Sequence, residues 1–226
     1  MRIMVEKNAP VVKKVGRNVQ FDIHLSEEQG LAKEQILKHA YSFILGKAGT
    51  GKTQLAVAVA LDKLFKKEVS KIYITRPTIS TEDNGFLPGT LEEKLEPWLV
   101  PIKDTMRTAY SHPDQIKKME SEGVIEIVPL TFFRGRTFSN AICIVDEFQN
   151  ITTEQLAMAL GRLGKDSLMI FCGDNRQIDL KNKSMSAVQH VDKLSKSSYV
   201  YAVELFENHR HPAVEDVLNI LYNIED

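Results

Sequence analysis

The 226-residue chain has almost no net charge: 29 lysines and arginines stand against 30 aspartates and glutamates, a formal charge of −1. That balance excludes a global positive field drawing the whole molecule to nucleic acid, although a local basic patch is compatible with it. Cysteine is nearly absent. Cys143 and Cys172 both sit inside apolar, strand-like runs, so they read as buried small hydrophobes in a reducing compartment, not as a disulfide or a metal pair. No apolar run approaches the length of a membrane span. The first residues, Met1-Arg2-Ile3-Met4-Val5-Glu6-Lys7, lack the apolar core of a signal peptide. A cytoplasmic protein without membrane contact is expected. There is no internal repeat and no low-complexity linker. With 43% hydrophobic and 26% charged residues the composition is that of a soluble globular chain, of a length that suits one large α/β domain.

Against this plain background one segment stands out. Gly46-Lys47-Ala48-Gly49-Thr50-Gly51-Lys52-Thr53 matches G-x-x-x-x-G-K-[ST] at every fixed position. The chemistry dictates the spacing. Glycines let backbone N–H groups turn inward around phosphate oxygens with no Cβ in the way. Lys52 brings a positive charge to the β- and γ-phosphates of a nucleoside triphosphate, and the Thr53 hydroxyl can ligate Mg²⁺. The N-terminus of the following helix adds its partial positive charge. The context agrees: residues 41–45 read as a buried strand, and 53–66 as a helix with Leu55, Val59 and either Leu61 or Leu64 toward a sheet.

The rest of the chain reads as strands alternating with helices. Ser26 is placed to cap a helix running to about Lys38. Strands are expected at 71–75, 124–128, 141–145, 168–172 and 199–205. Helices are expected at 91–109 (with Pro97 and Pro101 breaking or kinking it), after Pro113, at 152–163 and from Pro212. This order implies an α/β fold, a mostly parallel sheet with helices on both faces. Residues 1–24 read as an N-terminal arm or small hairpin and 25–226 as one domain.

A phosphate loop needs a carboxylate at the end of another buried strand. Ile142-Cys143-Ile144-Val145-Asp146-Glu147 supplies two. Asp146 is placed to hold Mg²⁺ through water, and Glu147 to orient and deprotonate an attacking water. An ordinary solvated strand terminus is the bland alternative. Gly173-Asp174-Asn175-Arg176-Gln177 ends the next strand, on the same edge of a parallel sheet. Gln177 is either a sensor bonding the water and the γ-phosphate or part of a turn that merely leaves the strand.

These segments resemble a family. The loop at 46–53, Thr75-Arg76-Pro77, Gly85-Phe86-Leu87-Pro88-Gly89, Phe133-Arg134-Gly135-Arg136-Thr137, Asp146-Glu147-Phe148-Gln149-Asn150 and Gly173-Asp174-Asn175-Arg176-Gln177-Ile178-Asp179-Leu180 occur in the order seen in PhoH proteins. The short length and Lys47 are similar to the bacteriophage versions. The resemblance implies a RecA-like P-loop NTPase, similar to the first motor domain of superfamily 1 helicases, hydrolysing ATP with Mg²⁺ and acting on RNA in preference to DNA. Leu25-Ser26-Glu27-Glu28-Gln29 resembles the helicase Q motif, in which Gln29 would read adenine; its alternative is a capping box, Ser26 to Gln29. Asn208-His209-Arg210-His211-Pro212 resembles a helicase N-x-R motif, which would make Arg210 a transition-state arginine; otherwise it caps a helix.

Departures from the family pattern matter. Phe148 replaces the usual alanine of the acidic motif, and Lys47 stands where many relatives have proline. Neither a PIN nuclease domain nor a second motor domain is expected beside this one, so a homo-oligomer is expected too, a ring or hexamer in which a neighbour closes the ATP site. Arg76, Arg134 and Arg136 are the nucleic-acid candidates, the last two beside Phe132, Phe133 and Phe138. Their alternatives are contacts to a neighbour's nucleotide or plain salt bridges. Two other functions compete: a regulatory or scaffold ATPase whose nucleotide state controls a protein partner, and a small-molecule kinase.

Overall fold

A computed structural model describes residues 24–77, 100–108 and 113–222. Its framework is a six-stranded sheet. The strands are β1 (Tyr41–Gly46), β2 (Lys71–Thr75), β3 (Ile125–Ile127), β4 (Ala141–Asp146), β5 (Leu168–Gly173) and β6 (Val200–Leu205). They lie in the order β3-β2-β4-β5-β1-β6, every neighbouring pair parallel. The helices are α1 (Glu27–Ile36), α2 (Lys52–Phe65), α3 (Pro113–Ser121), α4 (Thr153–Leu160), the one-turn α5 (Val191–Leu194) and α6 (Pro212–Tyr222). Residues 100–108 are also helical.

Strand periodicity sorts the side chains into two cores. Ile44, Ile72, Ile74, Ile142, Ile144, Ile170 and Cys172 point to one face, where Leu55, Val59 and Leu61 of α2 cover them. Their alternates Phe43, Cys143, Val145, Met169 and Phe171 point to the other, under Leu156 and Ala159 of α4 and Val191 of α5. Burial on both faces is why these strands read as continuous apolar runs. Helix α2 is enclosed as well: all seven residues from Leu55 to Leu61 are buried. Removing most of one such side chain, Ile144→Ala for instance, would cost about 2–5 kcal/mol.

Because every strand points the same way, the C-terminal ends of β1, β2, β4, β5 and β6 line one edge of the sheet, the edge where open α/β sheets bind ligands. Strand β5 lies between β1 and β4, so the phosphate loop and the acidic pair are two strands apart, with Gly173 between them.

One expectation fails in detail. The helix expected at 152–163 ends at Leu160, with Gly161 as its C-cap. The next residues bond elsewhere: Phe138 N–H donates to Arg162 O, and Phe138 and Leu163 form a parallel bridge. Residues 1–23 and the loop containing Asn84-Gly85-Phe86-Leu87-Pro88-Gly89 fall outside the described residues, as does the first part of the helix expected from Leu91.

Candidate functional site

The phosphate loop joins β1 to α2. Gly46, Gly49 and Gly51 have φ of 152°, 95° and 75°. Space excludes side chains there too. A Cβ on Gly46 would lie 2.6 Å from Leu205 O; on Gly49, 2.6 Å from Asn208 Oδ1 and 2.7 Å from Arg210 Cγ; on Gly51, it would collide with Gln29 Nε2. The loop is thus backed by α1 and by the segment after β6. Helix α2 starts with Gly51 as N-cap and no side-chain cap hydrogen bond, so its leading N–H groups carry no capping side chain. This fits an anion at the helix start. Lys52 Nζ donates to Gly46 O (2.7 Å) and Lys47 O (2.8 Å), folded over the loop. Thr50 Oγ1 donates to Lys47 O, 3.0 Å away, bracing the turn around Ala48.

Thr53 Oγ1 donates to Asp146 Oδ1 at 2.8 Å. These two oxygens, brought together from α2 and β4, suit a Mg²⁺ ion that takes its remaining ligands from water and phosphate. No group of three or more His, Cys, Asp or Glu stands ready to hold a metal among the described residues, and a phosphate-bound Mg²⁺ needs none. Burial, reinforced by the neighbouring Glu147 carboxylate, pushes the Asp146 carboxyl up to about 6, while Thr53 and Arg76 pull it down. Behind the loop, burial raises Cys172 well above the usual thiol range, so it is a core residue and no nucleophile.

Glu147 follows in the left-handed region, φ 54° and ψ 39°. A non-glycine residue there costs roughly 1–2 kcal/mol, and the turn is held by bonds on every side. Glu147 Oε1 lies 3.3 Å from Arg76 Nη2, and Gln149 Nε2 donates to Glu147 Oε2 at 2.5 Å. Arg76 Nη1 is also 3.9 Å from Asp146 Oδ2. Register explains the meeting: Thr75 pairs with Val145, so the next residue of each strand emerges side by side.

Gln149 was not assigned a role from the sequence, yet it is the hub of this edge. Fully buried, it donates to Glu147 Oε2 and to Gln177 O (3.1 Å), and its Oε1 accepts from Asp174 N–H (3.1 Å). Next to it, Asn150 and Asp179 exchange two hydrogen bonds of 3.2 and 2.8 Å. The acidic turn and the turn after β5 are therefore one polar unit. A glutamine and an asparagine directly after a buried strand and its acids were the available signal. Gln177 itself is exposed, and its side chain has no hydrogen-bond partner among the described residues.

Gln29 forms the capping box, giving and receiving bonds with Ser26. Its amide nitrogen also donates to Thr50 O at 3.1 Å and lies 3.2 Å from His209 Nε2. Arg210 lies in the same chain as the loop, its stem against Gly49, while His209 N–H donates to Gly49 O at 3.0 Å. Of the arginine–aromatic group, Arg134 is exposed, but Arg136 pairs with Glu126 at 3.4 Å. Phe133 and Phe138 are core residues packed edge-to-face with ring centroids 4.6 Å apart, which corrects the expectation that they offer ring faces to bases. Phe132 alone of the three is exposed. Phe148, the departure from the family pattern, fills the core beside Phe43 and Phe171.

Comparison with known proteins settles the family. The model of the family described as "PhoH-like protein" matches residues 23–222. The chain belongs to the PhoH family. This PhoH chain is 40% identical over 190 residues to a PhoH-like protein of Synechocystis sp., covering 81% of this chain and 57% of that one. A PhoH-like protein of Bacillus subtilis is 40% identical over 180 residues, with 78% and 56% covered. The chain thus spans just over half the length of these relatives, both of which are bacterial; the likeness to bacteriophage versions gains no support from them. Among solved structures, the large terminase of the thermophilic bacteriophage D6E, in complex with ADP, matches with a TM-score of 0.52 and 9% identity, over 87% of this PhoH chain and 50% of the terminase. At that identity the likeness speaks for the fold, a P-loop α/β domain of RecA-like type. No helix among the described residues is long and apolar enough to cross a membrane.

Proposed function

We propose that this PhoH chain hydrolyses ATP with Mg²⁺ and uses the cycle to act on single-stranded nucleic acid, RNA in preference to DNA, in the cytoplasm of a bacterium or phage-infected host. The observation that carries the reading is the convergence of loop, hydroxyl and carboxylates at one sheet edge: Thr53 and Asp146 are 2.8 Å apart, with Glu147 beside them. Backbone N–H groups of residues 46–53 hold the phosphates and Lys52 leaves its loop carbonyls for the β- and γ-phosphates. Thr53 and Asp146 hold Mg²⁺, which neutralises charge on the phosphate oxygens. Water attacks the γ-phosphorus, its proton passes to Glu147, and ADP leaves with the electrons of the broken P–O bond. Gln177 senses the γ-phosphate. Arg210, already against Gly49, swings its guanidinium to the transferring group, a contribution of about 10³–10⁵ in rate for arginines of this kind. The adenine-reading role of Gln29 requires its amide to exchange Thr50 O for the base.

Assembly belongs to the proposal. Val214, Val217 and Ile220 leave an apolar stripe exposed on α6, a helix that begins two residues beyond Arg210. A second copy seated there would lie beside the nucleotide, as a ring or hexamer requires. The same stripe also suits a different protein partner, which keeps the regulatory ATPase as the second reading. One experiment separates them: ATP hydrolysis with and without single-stranded RNA and DNA oligonucleotides across a salt series. Stimulation that weakens with salt supports the motor. ATP turnover indifferent to every oligonucleotide sinks it in favour of the regulatory reading.

A further inference from the structure

Arg76 faces two ways. Its guanidinium meets Glu147 and Asp146 at 3.3 and 3.9 Å. It also lines a cleft of about 520 Å³ that runs along the ends of β2, β4 and β5, and none of residues 46–53 takes part in that lining. The volume is that of an ordinary small-ligand pocket. Its walls are mixed in a particular way. Pro77, Pro129 and Met185 present flat or polarizable apolar surface, while Thr131, Gln155 and Asn182 offer neutral hydrogen-bonding groups. The cations are Arg76 and Lys181, and Lys181 has no ion-pair partner among the described residues. The one lining carboxylate, Asp179, accepts from Asn150 Nδ2 through Oδ2 at 3.2 Å, and its backbone N–H donates to Asn150 Oδ1 at 2.8 Å. Apolar faces beside cations, with one oxygen of the acid already engaged, suit a sugar-phosphate chain whose phosphates meet the cations.

We propose that this cleft holds a segment of single-stranded polynucleotide, and that its phosphate competes with Glu147 for Arg76. The inference rests on the ATPase reading above and adds a control to it. Glu147 has both oxygens engaged, Oε1 by Arg76 and Oε2 by Gln149. Its backbone is fixed in the left-handed turn, so the carboxylate is freed by moving its partner. A phosphate takes a guanidinium in a two-pronged contact. When the strand takes Arg76, Oε1 becomes available to a water at the γ-phosphate. A second link runs in parallel: a strand that displaces Asp179 is felt at Asn150, three residues from Glu147. Arg76 is thus a positioning residue, a latch whose release reports that the track is occupied.

The test uses the full chain and fluorescein-labelled single-stranded RNA and DNA oligonucleotides. Anisotropy without nucleotide reads binding, and ATPase assays with and without the unlabelled strands read coupling. The wild type binds, and the arms of the titration tell RNA from DNA. Arg76→Ala should bind about tenfold more weakly. Its strand-free hydrolysis should rise about fivefold, which is about 1 kcal/mol at about 1.4 kcal/mol per tenfold, and strands should no longer raise it. Arg76→Lys keeps the charge without the fork and should fall between the two; it carries the test if the alanine variant does not fold. Lys181→Ala should weaken strand binding and reduce its salt dependence. Wild-type affinity in Arg76→Ala, or an unchanged or lower strand-free rate with stimulation intact, overturns the latch and leaves the motor standing. A wild type that turns over ATP yet neither binds nor responds to any strand overturns both.

Discussion

Gly173 ends β5 beneath the ring of Phe148, and that contact makes a sharp test of the packing. A methyl group there would lie 2.7 Å from Phe148 Cδ1 and Cε1, and 2.8 Å from Gln149 Oε1. Ordinary carbon–carbon contacts are about 3.5–4.0 Å, so the ring would have to retreat by about 1 Å. It has nowhere to go. Phe148 is fully buried, with Phe43 and Phe171 edge-on to it at 5.5 and 5.8 Å. Gln149 is equally enclosed and bonded to Glu147, Asp174 and Gln177. Overpacking of this kind costs about 1–3 kcal/mol. For a chain of this size about 1 kcal/mol moves the melting temperature by about 2–4 °C, so a mid-range 2 kcal/mol predicts that Gly173→Ala melts about 4–8 °C lower by circular dichroism. The cause is checked by a cycle. Phe148→Ala alone should lose about 3–5 kcal/mol, but it clears the space the methyl needs. The double variant should therefore lose about 1–2 kcal/mol less than the sum. A Gly173→Ala melt within about 1 °C of wild type, or a strictly additive double variant, would refute the reasoning.

Three further outcomes follow from the charges. Burial pushes the Asp62 carboxyl up, but Lys66 and Lys33, each at 3.0 Å, outweigh it and leave the group below the usual range. A lowered folded value gives stability that is present above the unfolded value and lost as pH falls through the folded one. Asp62→Asn should therefore cost about 1–3 kcal/mol near pH 7 and converge on wild type in acid; denaturant titrations showing a pH-independent gap would contradict this. Asp146 has the opposite sign, raised to about 6. The native state then binds more protons between about pH 4 and 6, and stability falls as pH rises across that window. In chelator at pH 7.5, Asp146→Asn should be more stable than wild type by up to about 3 kcal/mol, and an Asn variant melting lower would disprove it. Lys52→Ala should lose tight nucleotide binding by calorimetry while keeping the wild-type fold, and retained micromolar-range affinity would remove Lys52 from the phosphate role.

Much of the fold was legible because its signals are local. Strands buried on both faces announce themselves as apolar runs, and a loop built from backbone N–H groups needs fixed glycine spacing. The helix after Thr152 was overrun because Leu160 and Leu163 continue the apolar period, while Gly161 and the bond from Phe138 to Arg162 end it. What stayed hidden depends on strand order. Arg76 meets Glu147 because β2 adjoins β4 across 71 residues of sequence separation. Gln149 reaches Asp174 and Gln177 because β5 adjoins β4. A buried phenylalanine and a base-stacking one are the same letter, so Phe133 and Phe138 were misread until packing placed them.

The supports of the phosphate loop have a consequence for the newly made chain. Gly46 is backed by Leu205, Gly49 by Asn208 and Arg210, and Gly51 by Gln29. Every letter of the loop motif has been translated by residue 53, but its back wall is not complete until residue 210 has left the ribosome and β6 has docked on β1. The nascent protein therefore carries the motif without a finished cradle while residues 54–210 are being made. A chain interrupted before β6 would keep the signature and lose the walls that shape it.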